Sequence, residues 1–173
     1  ADSGFTRLSG HVKTDSGDFE GFIQWDKEEC LASDLLDGDS DDGDVSLKMG
    51  RIRSIERRNS RSCEVTIKDG RSMRLSGSND VNDDNRGIVV EDKRVGRVTI
   101  PWDEFEELVF TDGSSGRGYD DFPELGDLKG RVVDDSGHEF SGRIVFDADE
   151  SEAWEILNGS SDGIEYDIPF VMI

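Results

Sequence analysis

Lysine is scarce in this sequence. The 173 residues hold 6 Lys and 14 Arg against 26 Asp and 15 Glu, for a formal net charge of −21. A surface so poor in cations repels nucleic acid, whose binding depends on neutralising phosphates with Lys and Arg. Nucleic acid is therefore excluded as a partner. Long apolar runs are absent as well, so no membrane span is expected. Histidine occurs twice, as His11 in a predicted strand and His138 in a predicted turn. No His-Glu-x-x-His, Gly-x-Ser-x-Gly or Gly-rich phosphate loop accompanies them. His138 beside Asp135 or Glu139 is the one dyad on offer, and an exposed turn histidine explains it as well. Catalysis has thin support and an enzyme is the weaker class. Two cysteines, Cys30 and Cys63, permit a single bridge. A bridge in an exported protein and two separate thiols both stay open. No signal-peptide pattern opens the chain, and its first residue is Ala1. That start fits a processed export product, periplasmic or at the cell surface, or a trimmed chain.

The acids that are present lean to Asp and are spread along the whole chain. Dense short carboxylates with little Lys fit adaptation to high salt, where they keep a hydrated, soluble surface. A cation-bridged surface is the other physical reading; ordinary solubility would not need so extreme a charge. Apolar residues are 33% of the chain and charged residues 35%. Any core is therefore thin, and contacts between units are expected to add stability.

The acidic stretch "LLDGDSDDGDVSL" (35–47) raises the question of calcium. A calcium loop needs oxygen ligands at positions 1, 3 and 5, Gly at 6 and a bidentate Glu at 12. Counted from Asp37, position 6 is Asp42, Gly43 comes one residue late, and position 12 is Lys48. The register fails, which leaves a solvated hairpin turn rich in Asp and Gly.

A second copy of the same stretch supports the turn. Shifted by 121 residues, "FEGFIQWDKEECLASDLLDGDSD" lies on "FSGRIVFDADESEAWEILNGSSD" without a gap. Phe19 meets Phe140, Gly21 meets Gly142, Ile23 meets Ile144 and Trp25 meets Phe146. Asp26 meets Asp147, Glu29 meets Glu150, and Gly38 meets Gly159. The copy has Asn158, Ser160 and Ser161 where the first has Asp37, Asp39 and Ser40, so the turn survives and the charge does not. Upstream, "GHVKTDSG" matches "GRVVDDSG" at an offset of 120. A third copy lies between them: "VTIKDGRSMRL" repeats the strand–turn–strand pattern, and "VTIPWDEF" matches "YDIPFVMI". Repeats at such a period decide the architecture before any local feature does.

Each copy reads as short strands. "HVKTDSGDFEGFIQW" alternates about a Ser-Gly turn, a hairpin signature. "ECLASDLL" and "DVSLKM" flank the acidic turn as a second hairpin. A turn with an apolar anchor follows ("KMGRI", "PWDEF", "PFVMI"), and then a closing strand ("RSIERR", "ELVF"). No stretch sustains a 3.6-residue period. The first hairpins "VKTDSGDFEGFIQWD" and "VVDDSGHEFSGRIVFD" and the ending "IPWDEFEELVF" resemble the SH3-like and Sm-like small β-barrels. The resemblance covers about 8–58, 63–110 and 128–173. It implies an all-β chain of tandem small barrels made of short antiparallel strands, closure being the usual way for few strands to hide their edges. The expected organisation is a first barrel at 1–62, a second at 63–112, a linker at 113–127 and a third, incomplete repeat at 128–173. That last repeat stops before its closing strand. A continuation of the natural chain, the N-terminal segment or a second molecule could fill the gap, and the sequence favours a continuation.

Two segments are candidate sites. "KMGRIRSIERRNSR" (48–61) concentrates Arg51, Arg53, Arg57, Arg58 and Arg61 against Glu56 alone. It is an anion or partner patch, or else these arginines pair with acidic loops of a neighbouring barrel. In "GSNDVNDDNRGIVVED" (77–92), Asp80, Asn82, Asp84 and Glu91 fall at positions 1, 3, 5 and 12 of a calcium loop, with Asn85 at position 6. Ca2+ is the one cofactor the sequence offers, and a long loop of Asx turns is the alternative. The expected function is a non-catalytic acidic binding or assembly module that reaches a protein partner, or itself, through a barrel edge. The alternative is a carbohydrate- or envelope-associated hydrolase domain using carboxylate chemistry.

Overall fold

The computed structural model describes residues 6–112, 126–148, 150–153 and 155–173. The regular elements among them are strands and two short 3-10 turns, and every strand pairing is antiparallel. The chain is all-β. Alternating side chains set the strands: in β1 (Ser9–Thr14) and β6 (Ser62–Ile67) burial alternates along the strand, as a half-buried sheet requires. Small polar residues set the turns. Between β1 and β2 (Gly17–Gln24), Thr14 Oγ1 donates to the Gly17 carbonyl at 2.6 Å. Ser40 Oγ does the same to Gly43 at 2.9 Å between β3 (Leu35–Ser40) and β4 (Gly43–Lys48). The acidic stretch is thus a plain hairpin, with Asp41 and Asp42 at its tip.

The expected closed barrels do not form: among the described residues no sheet closes on itself. The first ten strands interleave instead. The remaining six of these ten are β5 (Ile52–Asn59), β7 (Ser72–Ser76), β8 (Ile88–Asp92), β9 (Gly96–Ile100), β10 (Phe105–Phe110) and the β6 already given. Their order in the sheet is β9-β8-β2-β1-β10-β5-β6-β7-β3-β4. Exchanging each of β1 to β5 with the strand five places later returns this order read backwards. The hairpin β1–β2 therefore packs beside β8 and β10, while β6–β7 packs beside β3 and β5. Each five-strand segment pairs its strands with those of the other without closure, and the two edges that remain are β4 and β9, of which β14 (Ile164–Pro169) covers β9. Two glycines make room for this. A Cβ on Gly21 would lie 1.9 Å from the Glu91 carbonyl oxygen, and one on Gly10 would lie 2.7 Å from Leu108 Cδ1 and from the Val109 carbonyl oxygen.

The core lies between the two segments and draws on both. Trp25, Leu36, Met49, Ile52 and Ile55 from the first meet Val65, Leu75, Ile88, Ile100 and Phe105 from the second, all buried. Trp25 sits edge-on to Phe105 with ring centroids 5.3 Å apart, and to Trp102 at 6.2 Å. Both indoles keep a hydrogen-bond partner, Trp25 Nε1 donating to the Asp80 carbonyl and Trp102 Nε1 to that of Asn59, each at 2.9 Å. A buried Trp needs such a partner for its one polar group. Cys30 and Cys63 are free thiols, and burial pushes the Cys63 thiol up to about 12.

The last segment splits. Its hairpin β11 (Lys129–Val133) with β12 (Glu139–Arg143) forms a separate two-stranded sheet. Its other hairpin, β13 (Ile156–Ser161) with β14 (Ile164–Pro169), extends the main sheet through β14 and β9, pairing Tyr166 with Val98. The Tyr166 ring meets Phe19 edge-on at 6.1 Å. Contacts of the first segment recur here 121 residues on. Asp34 Oδ2 accepts from the amides of Cys30 and Leu31, and Glu155 Oε2 from those of Ser151 and Glu152. Gly50 donates to the Ala32 carbonyl, and Val171 to that of Ala153. Asp26 and Lys27 take left-handed φ of 52° and 57°, and Asp147 and Ala148 take 48° and 70°. A 3-10 turn follows the second hairpin in both, at Met49–Arg51 and Phe170–Met172. Of the expected linker, residues 113–125 lie outside the described residues.

Candidate functional site

Three carboxylates meet where the turn after β2 packs against residues 77–87. Asp26, Glu29 and Asp80 each offer an oxygen, all within 4.8 Å of one another, a spacing that could hold a metal ion. Asp26 is fully buried and fully engaged. Its Oδ1 accepts from the Arg86 amide, and its Oδ2 from Asn79 Nδ2 at 2.6 Å and Arg86 Nη2 at 3.0 Å. Glu28 also pairs with Arg86, and the two acids together raise the guanidinium's proton affinity. Asp80 is buried too, and its Oδ2 accepts from the Asp37 amide at 2.7 Å. Burial pushes its carboxyl up, and the Asp26, Asp37 and Glu28 carboxylates push the same way.

Glu29 is the group left over. Its Oε2 is buried with no hydrogen-bond partner. Burial first, and then the Asp80 carboxylate, push its carboxyl from 4.5 up to about 7. Like charges this close disfavour joint ionisation. A proton on Glu29, or a bound cation, relieves the repulsion.

Of the four residues that the calcium-loop spacing selects, the structure brings only Asp80 into this group. Asn82 Oδ1 accepts from the Asp84 amide at 2.9 Å, an Asx turn, and Asp84 is exposed. Glu91 lies on β8 opposite Phe22, 3.4 Å from Arg7 Nη2. Asp26 and Glu29 come instead from across the β2–β8 pairing. Their recurrence as Asp147 and Glu150 was the sequence signal that marked them.

The arginine patch runs along β5 and its two ends. Arg58 pairs with Glu56 at 3.1 Å and with Glu64 on the neighbouring β6 at 2.8 Å. Arg57 Nε donates to the Phe105 carbonyl at 2.6 Å, and Arg53 Nη2 to that of Lys68 at 3.0 Å. Arg51 and Arg61 are exposed at the two ends. Three of the five thus serve contacts between neighbouring strands. Both histidines pair locally, His11 with Asp18 at 3.4 Å and His138 with Asp134 at 3.0 Å. A cleft of about 330 Å³ runs past Arg57, Asp83, Asn85, Trp102 and Asp103.

Exposed apolar side chains lie elsewhere. Val132, Phe140 and Phe146 are 50%, 62% and 48% exposed, whereas Val12, Phe19 and Trp25 at the matching places are buried. Among the described residues Phe146 touches one aromatic neighbour, Phe170, at 5.5 Å. Among the described residues β12 pairs only with β11, and β13 only with β14. Apolar faces bounded by unpaired strands are where soluble proteins meet other chains. Among the described residues no helix is long and apolar enough to cross a membrane. Comparison of the chain with protein-family models, with characterised proteins and with solved structures finds no match.

Proposed function

We propose that the chain is a non-catalytic acidic assembly module made of repeated five-strand units, which takes a protein partner on the open face of residues 126–173. The observation that carries this reading is the exposure of Val132, Phe140 and Phe146 beside the unpaired edges of β11, β12 and β13. Each unit is read as an SH3-like set of two hairpins, a turn and a closing strand, opened out by exchange with its neighbour. The contacts that recur 121 residues apart support that reading, and so does the reversible order of the first ten strands. The dense carboxylates fit a protein that works at high salt.

The non-catalytic part rests on the carboxylates. Glu29 is the acid raised close to neutrality, and the two carboxylates beside it are engaged by the Arg86, Asn79 and Asp37 donors. That arrangement anchors residues 77–87 to the turn after β2. Affinity capture with the wild type and a Phe140→Glu variant tests the assembly reading. Proteins, the chain itself included, that are retained by the wild type and lost with the variant support it. Identical retained sets contradict it.

A further inference from the structure

We propose that the open face is completed by the same segment of a second copy of this chain, with β12 of each molecule paired antiparallel to β13 of the other. This rests on the assembly reading above and names its partner. The precedent is inside the molecule. In the interleaved part, the second strand of each five-strand segment pairs with the third strand of the other, β2 with β8 and β7 with β3. In the last segment the second and third strands, β12 and β13, have outer sides unpaired among the described residues, as does β11. Two such segments satisfy each other reciprocally, the self-complementary contact of a two-fold dimer.

The glycines mark where the second copy would come. Gly21 is needed because the Glu91 backbone crosses it, and Gly38 because Leu75 Cβ and Val81 would stand 3.1 and 3.3 Å from its Cβ. Gly142 and Gly159 hold the matching places, yet nothing described lies within 4 Å of a Cβ built on either. They leave room for neighbours that one molecule does not supply. Ile23 pairs with Val90 and Gly21 with Asp92. Within their own hairpins Val90 pairs with Val98, and Gly159 with Tyr166, the residue matched to Val98. The register carried over places Ile144 opposite the other copy's Gly159, and Gly142 opposite its Ser161.

Charge does not guard this edge. The sequence of β13, Ile156 to Ser161, holds no charged residue in a chain of net charge −21, where β3 at the matching place carries Asp37 and Asp39. Edge strands are normally guarded by charge. This one is not, so β13 itself adds no carboxylate to the pairing, while Phe140 and Phe146 leave water.

Sedimentation analysis and light scattering of the full chain test the proposal, with Phe140→Glu and Gly159→Ala as variants. The wild type is expected at twice the chain mass. Each variant is expected at the single mass with the wild-type far-UV spectrum, since both side chains are open in one molecule. A mixture of Ile144→Cys and Gly159→Cys chains should form a mixed disulfide faster than either chain alone. A monomeric wild type, or a dimer that survives Phe140→Glu, overturns the proposal. If the wild type is monomeric but still retains a different protein that Phe140→Glu loses, self-pairing fails and the assembly reading stands. If no retained protein depends on Phe140, both fail.

Discussion

Trp25 and Phe146 occupy matching places after matching hairpins, and their surroundings differ completely. Trp25 lies in the seam between two interleaved segments, with Trp102 and Phe105 of the second segment around it and an Asp80 carbonyl on its indole nitrogen. Phe146 packs on Phe170 of its own segment and is half exposed. On the proposed reading, a unit of this type carries only half of a core. Its apolar residues are buried when a like unit covers them, and lie open when none does. The hairpins, turns and carboxylate-capped loops form either way, because their hydrogen bonds are local.

The largest expected effect is at the aromatic pair. Trp25→Ala should cost about 3–5 kcal/mol, the range for emptying a buried aromatic site. Phe146→Ala, measured under conditions that keep the chain monomeric, should cost less than about 1 kcal/mol, as for a surface change. Denaturant titration of both variants checks this, and equal losses would erase the distinction between the regions.

The glycine pair sharpens the comparison. Gly21→Ala forces a methyl group into the Glu91 backbone and should destabilise by about 1–3 kcal/mol, the scale of overpacking. Gly142→Ala meets nothing in one molecule and carries only the cost of its positive φ of 159°, which Gly21 shares at 154°. Its monomer should therefore lose less stability than Gly21→Ala, by the clash with Glu91.

Glu29 gives a pH signature to the interleaved half. Its folded carboxyl titrates near 7, above the ordinary 4.5. Between those values the folded state binds more protons than the unfolded state, so stability falls as pH rises. This contribution is fully present below pH 4.5 and is lost as pH rises through about 7. Glu29→Gln lacks that loss. It should gain about 1–3 kcal/mol over the wild type between pH 5 and pH 8. A difference between the two proteins that does not change with pH would remove Glu29 as the source.

Salt should act on the whole surface and move stability least per residue. Screening of carboxylate repulsion should raise the thermal midpoint between low and molar KCl, by a few degrees for about 1 kcal/mol. An unchanged or lower midpoint would reject the high-salt reading of the composition.

The hairpins were legible in the sequence because their signals are local. Alternation, Ser-Gly and Asp-Gly turns and the anchor residues of the 3-10 turns all lie within a few residues of the structure they specify. Interleaving was not legible, since nothing within β2 says that its outer side pairs with β8 instead of closing its own unit. The repeat alignment singled out Gly21 as shared, but the reason, close approach of Glu91, comes from a strand 70 residues away. The carboxylate cluster was half legible. Asp80 stood out, but β8 begins at Ile88 and takes Glu91 into the strand, while Asp26 and Glu29 arrive through pairing between segments. Val132, Phe140 and Phe146 align with residues that are core, and only the three-dimensional arrangement shows them uncovered.

Amide hydrogen exchange of β12, compared with β2 in the same molecule, tests most directly the claim that each unit is half a core. The account predicts that β2 exchanges slowly in both the wild type and Phe140→Glu. It predicts that β12 is protected in the wild type and exchanges at nearly open rates in the monomeric variant, because nothing but β11 pairs with it there. A β12 as slow as β2 in the monomeric variant would contradict it, since the last segment would then be closed without a partner.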